Sequence, residues 1–158
     1  MKAFYTLLIL LIPFVGFGQI VNIPDANFKA FLVGDPSINT NGDTEIQVSE
    51  ANTFAGTISV NELNIYDLSG IEYFTSIPHL YCHSNQLTNL DVSQNTALTI
   101  LSCSYNQLNN LDVTQNTALT ILYCINNQLT NLDVSQNTAL TKLNCSGNQL
   151  TNLDVSQN

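Results

Sequence analysis

Arginine is absent from this chain of 158 residues, and three lysines stand against twelve acids, for a formal net charge of −9. A surface of that sign repels nucleic acid phosphates and anionic membranes, so no nucleic acid partner is expected. The acids are spread along the chain, which suits solubility or cation affinity rather than a disordered acidic tail. No nucleophile motif, phosphate loop or zinc signature is present, and no CxxC or Cys/His pair stands at ligand spacing. Long apolar runs are missing but for one, Ala3 to Val15. That run is shorter than the about 20 residues a membrane span requires. What remains is 44% hydrophobic and only 9% charged, which predicts one folded domain with Asn, Gln, Ser and Thr supplying the polarity.

The apolar run is read as an address. Lys2 precedes it, Pro13 lies near its end, and Gly16 and Gly18 hold the small-residue positions before Gln19. Residues 1–18 are therefore expected to be a secretory signal peptide, leaving no membrane span after cleavage. The protein is placed outside the cell or at its surface.

The rest is organised by repetition. Leu98, Leu119 and Leu140 each open the same phrase, 21 residues apart, and Ile77 opens an earlier copy. The apolar spacing L-x-x-L-x-C-x-x-N-x-L-x-x-L-D-V recurs without insertion, which predicts a solenoid rather than a globule with a catalytic cleft. This spacing resembles the leucine-rich repeat family. The phrase NQLTNLDVSQNTALT looks like that of secreted surface proteins of Bacteroidetes-type bacteria, and Asp67–Phe74 looks like internalin repeats. The expected fold is a leucine-rich repeat solenoid of 21–22 residue period, with a parallel β-sheet on its concave face and a small helical N-terminal cap. The repeats are assigned to 55–158: an irregular one at 55–76, three full ones and a partial one, about 4.5 in all. The last repeat stops at Asn158 without a C-terminal cap, as expected of a fragment or of an end that another chain covers.

The resemblance implies that slots 1, 4, 6, 11, 14 and 16 point inward. Leu80/Leu101/Leu122/Leu143 and Leu90/Leu111/Leu132/Leu153 then form interior columns. Cys82, Cys103, Cys124 and Cys145 share one inward slot, where Cys serves as a small hydrophobe rather than as a disulfide partner. Asn85, Asn106, Asn127 and Asn148 are implied to turn inward and bond loop backbone. Asp91, Asp112, Asp133 and Asp154 form a column that needs solvent, N–H donors or a cation. Identical residues in identical settings are not divided into acid and base, so no catalytic pair is expected.

Residues 19–54 are read as the cap. Asp25 is a good helix N-cap, and Phe28, Phe31 and Leu32 fall on one face of a short helix that Gly34 and Pro36 stop. Residues 39–50 place Asn39, Asn41, Asp43, Glu45 and Glu50 at positions 1, 3, 5, 7 and 12 of a twelve-residue loop. This is similar to the calcium loops of EF-hands and dockerins. Asn39 replaces the usual Asp, and Thr44 stands where such loops carry Gly. Two readings stay open: a Ca2+ staple for the cap, and an ordinary turn whose Ser49 caps a helix from Glu50 to Phe54.

The slots that differ between copies face outward. One column reads His79, Ile100, Ile121, Lys142, the next Tyr81, Ser102, Tyr123, Asn144, and the next His83, Ser104, Ile125, Ser146, with Tyr105 beside them. His79, Tyr81, His83, Ile100, Tyr105, Ile121, Tyr123 and Ile125 are the candidate ligand-binding residues, since apolar groups facing solvent suggest a surface that something covers. The expected function is a non-catalytic module that binds an extracellular protein or glycan. The alternative is a calcium-stabilised structural or adhesive spacer of a larger surface protein.

Overall fold

A computed structural model describes residues 18–158, so all but the last residue of the signal-peptide assignment falls outside it. Two helices come first, α1 (Ala26–Gly34) and α2 (Val48–Thr53). Five three-residue strands follow: β1 (Thr57–Ser59), β2 (His79–Tyr81), β3 (Ile100–Ser102), β4 (Ile121–Tyr123) and β5 (Lys142–Asn144). They form one parallel sheet in chain order, with Ile58, Leu80, Leu101, Leu122 and Leu143 in register. The step from β1 to β2 is 22 residues and each later step is 21, so the expected solenoid is what the chain adopts.

The interior follows the repeat. In the turn that opens at Leu98, the side chains of Leu98, Leu101, Cys103, Leu108, Leu111 and Val113 are all buried. Leu143, Cys145, Leu150 and Leu153 of the last turn are only partly buried. Each buried Leu is worth roughly 1.5–3 kcal/mol.

The carbonyls of the loops are bonded from turn to turn as well as within each turn. Two asparagine columns supply donors for those links. Asn106 Nδ2 donates to the carbonyls of Cys103 in its own turn and Cys82 in the turn before, both at 3.0 Å, and its Oδ1 accepts from Leu87 N–H. Asn127 and Asn148 repeat the pattern one and two turns later. The second column, Asn95, Asn116, Asn137 and Asn158, was not anticipated. Asn116 Nδ2 donates at 2.9 Å to the carbonyls of Val92 and Asn95, and Asn137 does the same to Val113 and Asn116. Asn95, Asn116 and Asn137 are fully buried.

The cysteines form the interior column expected of them. Cys82, Cys103 and Cys124 are buried free thiols and Cys145 is half-buried. Burial pushes Cys82 and Cys124 up to about 12, and Cys103, which also lies between two other thiols, is raised well above its ordinary value. These thiols stay protonated at neutral pH and act as apolar filling.

The cap closes the first turn. Asp25 Oδ1 accepts from the Asn27 and Phe28 amides at 2.9 Å, which starts α1, while its Oδ2 accepts from Tyr66 N–H in the first repeat. Phe28 and Leu32 are buried, and Phe54 meets Phe74 edge-on with ring centroids 6.2 Å apart. Gly70 sits at φ 104°, where a Cβ would fall 2.8 Å from Ile23 Cγ1, so cap and solenoid meet too closely for a side chain.

The five residues read as calcium ligands share this loop, but their oxygens face N–H donors. Glu50 is buried. Its Oε1 accepts from the amides of Thr40 (2.8 Å) and Asn41 (3.2 Å), and its Oε2 from Gln47 N–H (3.0 Å). Glu45 turns away to Lys29 Nζ at 2.6 Å. Asn39 Oδ1 accepts from Gly42 N–H, and Asp43 accepts from Glu45 N–H and from the side-chain amides of Asn41 and Gln47. So arranged, the set does not fit a calcium ion, which needs six to eight oxygens aimed at one point. Among the described residues, no three His, Cys, Asp or Glu side chains gather to hold a metal. The helix that follows is capped by Gln47 and runs Val48–Thr53, rather than being capped by Ser49, because Glu50 reaches back to the Gln47 amide.

Asn116→Ala should remove two buried hydrogen bonds, to carbonyls of Val92 and Asn95 that keep the Asn95 and Leu98 amides as donors, and cost about 0.5–1.5 kcal/mol for each, read by urea unfolding. Thiols whose pKa is raised on folding contribute fully below their unfolded value of 9.0, and that contribution is lost as pH rises toward about 12. The melting temperature should therefore fall across that window, and Cys82→Ala with Cys124→Ala should flatten the slope. Melting curves in calcium and in chelator should coincide. A calcium-dependent rise that Asp43→Ala abolishes would show instead that the loop rearranges around the ion.

Candidate functional site

Three slots in each turn face solvent without being needed to fill the core, and the eight candidate binding residues lie there or beside it. His79, Ile100 and Ile121 are register partners on one stripe, which ends in Lys142. Tyr81, Ser102, Tyr123 and Asn144 form the next stripe. The expected exposure is only partly found. Ile100, Ile121, Tyr81, Tyr123 and Ile125 are half-buried, because at the about 4.8 Å strand spacing each side chain is covered on two sides by its neighbours in adjacent turns. Tyr105 is 54% exposed.

The two histidines do not form a pair. His79 lies on β2, with Nδ1 3.1 Å from the Thr57 hydroxyl and its ring 6.3 Å from that of Tyr81. His83 follows the strand rather than sitting on it, and its Nδ1 lies 3.2 Å from the Ser84 hydroxyl.

The second of the regular turns carries serine where its neighbours carry large residues. Ser102 lies between Tyr81 and Tyr123 in register, and Ser104 occupies the slot that holds His83 before it and Ile125 after it. Both serines are buried. The result is an open groove of about 500 Å³, with Ser102 and Ser104 in its lining beside His83, Tyr105, Tyr123, Ile125 and Asn144. No carboxylate, Lys or Arg lines it. Four of the eight candidates thus share the groove. His79, Tyr81, Ile100 and Ile121 belong to the adjoining sheet surface and do not line it.

The position of Tyr105 has a cost. Glu62, Ser84, Tyr105, Asn126 and Gly147 occupy one slot, at φ 61°, 56°, 55°, 51° and 69°. Every turn bends through the left-handed region here, which Gly and Asn adopt readily. Tyr does so at a cost of about 1–2 kcal/mol. Its ring does not belong to the buried core.

The aspartate column is a series of solvent-facing turns. Asp91, Asp112, Asp133 and Asp154 each accept the N–H of the residue two positions on, at 2.9 Å. The Thr114 hydroxyl and amide hold the Asp112 carboxyl below its ordinary value, and Ser135 and Ser156 do the same for Asp133 and Asp154. All four carboxylates already have backbone donors.

No family model and no curated relative matches this chain. Solved structures do. The functional domain of InlJ from Listeria monocytogenes, described as including a cysteine ladder, is similar over 89% of this chain at 43% identity and a TM-score of 0.78. InlF, an internalin of the same species, is similar over 91% of the chain with a TM-score of 0.67, but at 19% identity it speaks for the fold alone. The chain spans 31% of the first structure's length and 49% of the second's. The parallel ladder of three-residue strands, the two asparagine columns and these likenesses agree: the chain is a leucine-rich repeat protein, and its fold is the leucine-rich repeat solenoid.

Proposed function

We propose that the chain is a non-catalytic module of an exported or surface-held protein, and that it binds a protein or glycan ligand on the solvent-facing side of its sheet. The observation that carries this reading is the concentration of large apolar and aromatic side chains in slots the core does not use. Half-buried Ile100, Ile121, Tyr81, Tyr123 and Ile125 and exposed Tyr105 lie together on one face of the sheet. Apolar surface of this kind gains free energy only when a partner covers it. The likeness to surface proteins of Bacteroidetes-type bacteria rests on the repeat phrase NQLTNLDVSQNTALT. Export rests on the N-terminal address, and among the described residues no helix is long and apolar enough to cross a membrane.

Arrays of extracellular proteins and of glycans, probed with the purified chain, test the reading. Tyr123→Ala combined with Ile121→Ser should lower capture at least tenfold while the melting temperature holds. Leu122→Ala should cost about 2–5 kcal/mol of stability. If the double variant captures as the parent does, or the parent captures nothing while Leu122→Ala unfolds the chain, the module is a spacer.

A further inference from the structure

Resting on that reading, we propose that the groove lined by Tyr105 and Tyr123 binds a neutral oligosaccharide, with Tyr105 held in its strained turn position as the stacking anchor. Two independent observations meet in this groove.

The first is the backbone. Asn126 and Gly147 fill the same left-handed slot in the next two turns with residues that suit it, so the solenoid does not require an aromatic there. An aromatic side chain that is both conformationally costly and more than half exposed is not explained by packing. The left-handed bend itself recurs in every turn, at Glu62 and Ser84 as well, so it is the exposed ring rather than the bend that calls for a partner.

The second is the chemistry of the lining. The ring faces of Tyr105 and Tyr123 are electron-rich and suit the C–H faces of a pyranose. The hydroxyls of Ser102 and the tyrosines, the His83 imidazole and the Asn144 amide offer donors and acceptors for sugar hydroxyls. A chain with twelve acids places none of them in this lining and no Lys or Arg either, so an anionic ligand would find no counter-charge and would meet the field of a net charge of −9. An extended peptide would need an unpaired strand edge for main-chain pairing. Here β3 and β4 are paired on both sides, so the groove lies on the face of the sheet. Successive turns present lining residues about 4.8 Å apart, close to the length of one pyranose, so the groove can follow a glycan unit by unit. The volume of about 500 Å³ falls within the range of small-ligand sites.

Calorimetric titration of the full chain with short β-linked N-acetylglucosamine and glucose oligomers, and with sialylated oligosaccharides as the acidic comparison, tests the proposal. The neutral oligomers should bind and the sialylated ones should not. Tyr105→Asn should raise the melting temperature and weaken binding at least tenfold, whereas Tyr105→Phe should keep most of the binding. Unchanged binding in Tyr105→Asn overturns the anchor role. A fall in melting temperature in that variant shows that the ring holds the fold, which also overturns it. If no neutral oligomer binds but the arrays show a protein captured through Tyr123 and Ile121, the ligand class is wrong and the binding function stands. If neither is captured, both fail.

Discussion

The side-chain amides of two asparagine columns are the constraint on which this fold depends. A turn of 21 residues holds only three residues in strand pairing, so most of its backbone must find partners elsewhere. Asn106 and its equivalents pair each loop with the turn before, and Asn116 and its equivalents do so on the far side of the coil. Both columns are buried except at their last members, Asn148 and Asn158, and a buried backbone group without a partner is costly. The same bonds survive a change of period. The first step is one residue longer, yet Asn85 Nδ2 still donates to the carbonyls of Val60 (2.7 Å) and Cys82 (3.1 Å) and its Oδ1 still accepts from Ile65 N–H.

A coil held together from within leaves its outward slots free, and the candidate site is made from that freedom. The groove needs no special loop. It arises because one turn carries Ser102 and Ser104 between turns that carry Tyr81, Tyr123, His83 and Ile125. A small residue in one copy of a repeat makes a depression, and its larger neighbours make the walls. The acidic residues fall outside this lining, notably in the Asp112 column, where backbone amides hold them.

The fold was legible because periodicity lines up equivalent slots and the leucine-rich repeat resemblance says which of them point inward; the leucine and cysteine columns lie where it put them. The second asparagine column was missed although Asn95, Asn116 and Asn137 recur as faithfully as Asn106. In the phrase Gln-Asn-Thr an asparagine looks like one more polar loop residue, and only the position of the preceding turn's carbonyls makes it interior. The left-handed slot was also readable in part, since Asn126 and Gly147 are the residues such a bend selects, while Ser84 and Tyr105 obscure the pattern. The loop at 39–50 reads two ways for a physical reason. Oxygen-bearing side chains at alternate positions suit cations and turn amides alike, and here Glu50 and Asn39 take the amides.

Repetition also separates what the fold needs from what it tolerates. Four copies of one slot are four trials of the same backbone geometry, so a residue that disagrees with its equivalents stands against an internal control. Leu101, Leu122 and Asn127 agree with theirs and contribute to the coil. Tyr105 differs from Asn126 and Gly147 at nearly the same φ, and it lines the groove together with buried Ser104. The left-handed bend is common to all the turns, Glu62 and Ser84 included, so the architecture carries it without outside help. What sets Tyr105 apart is an aromatic ring more than half exposed where no other turn places one, and the groove beside it is where a ligand would cover that ring.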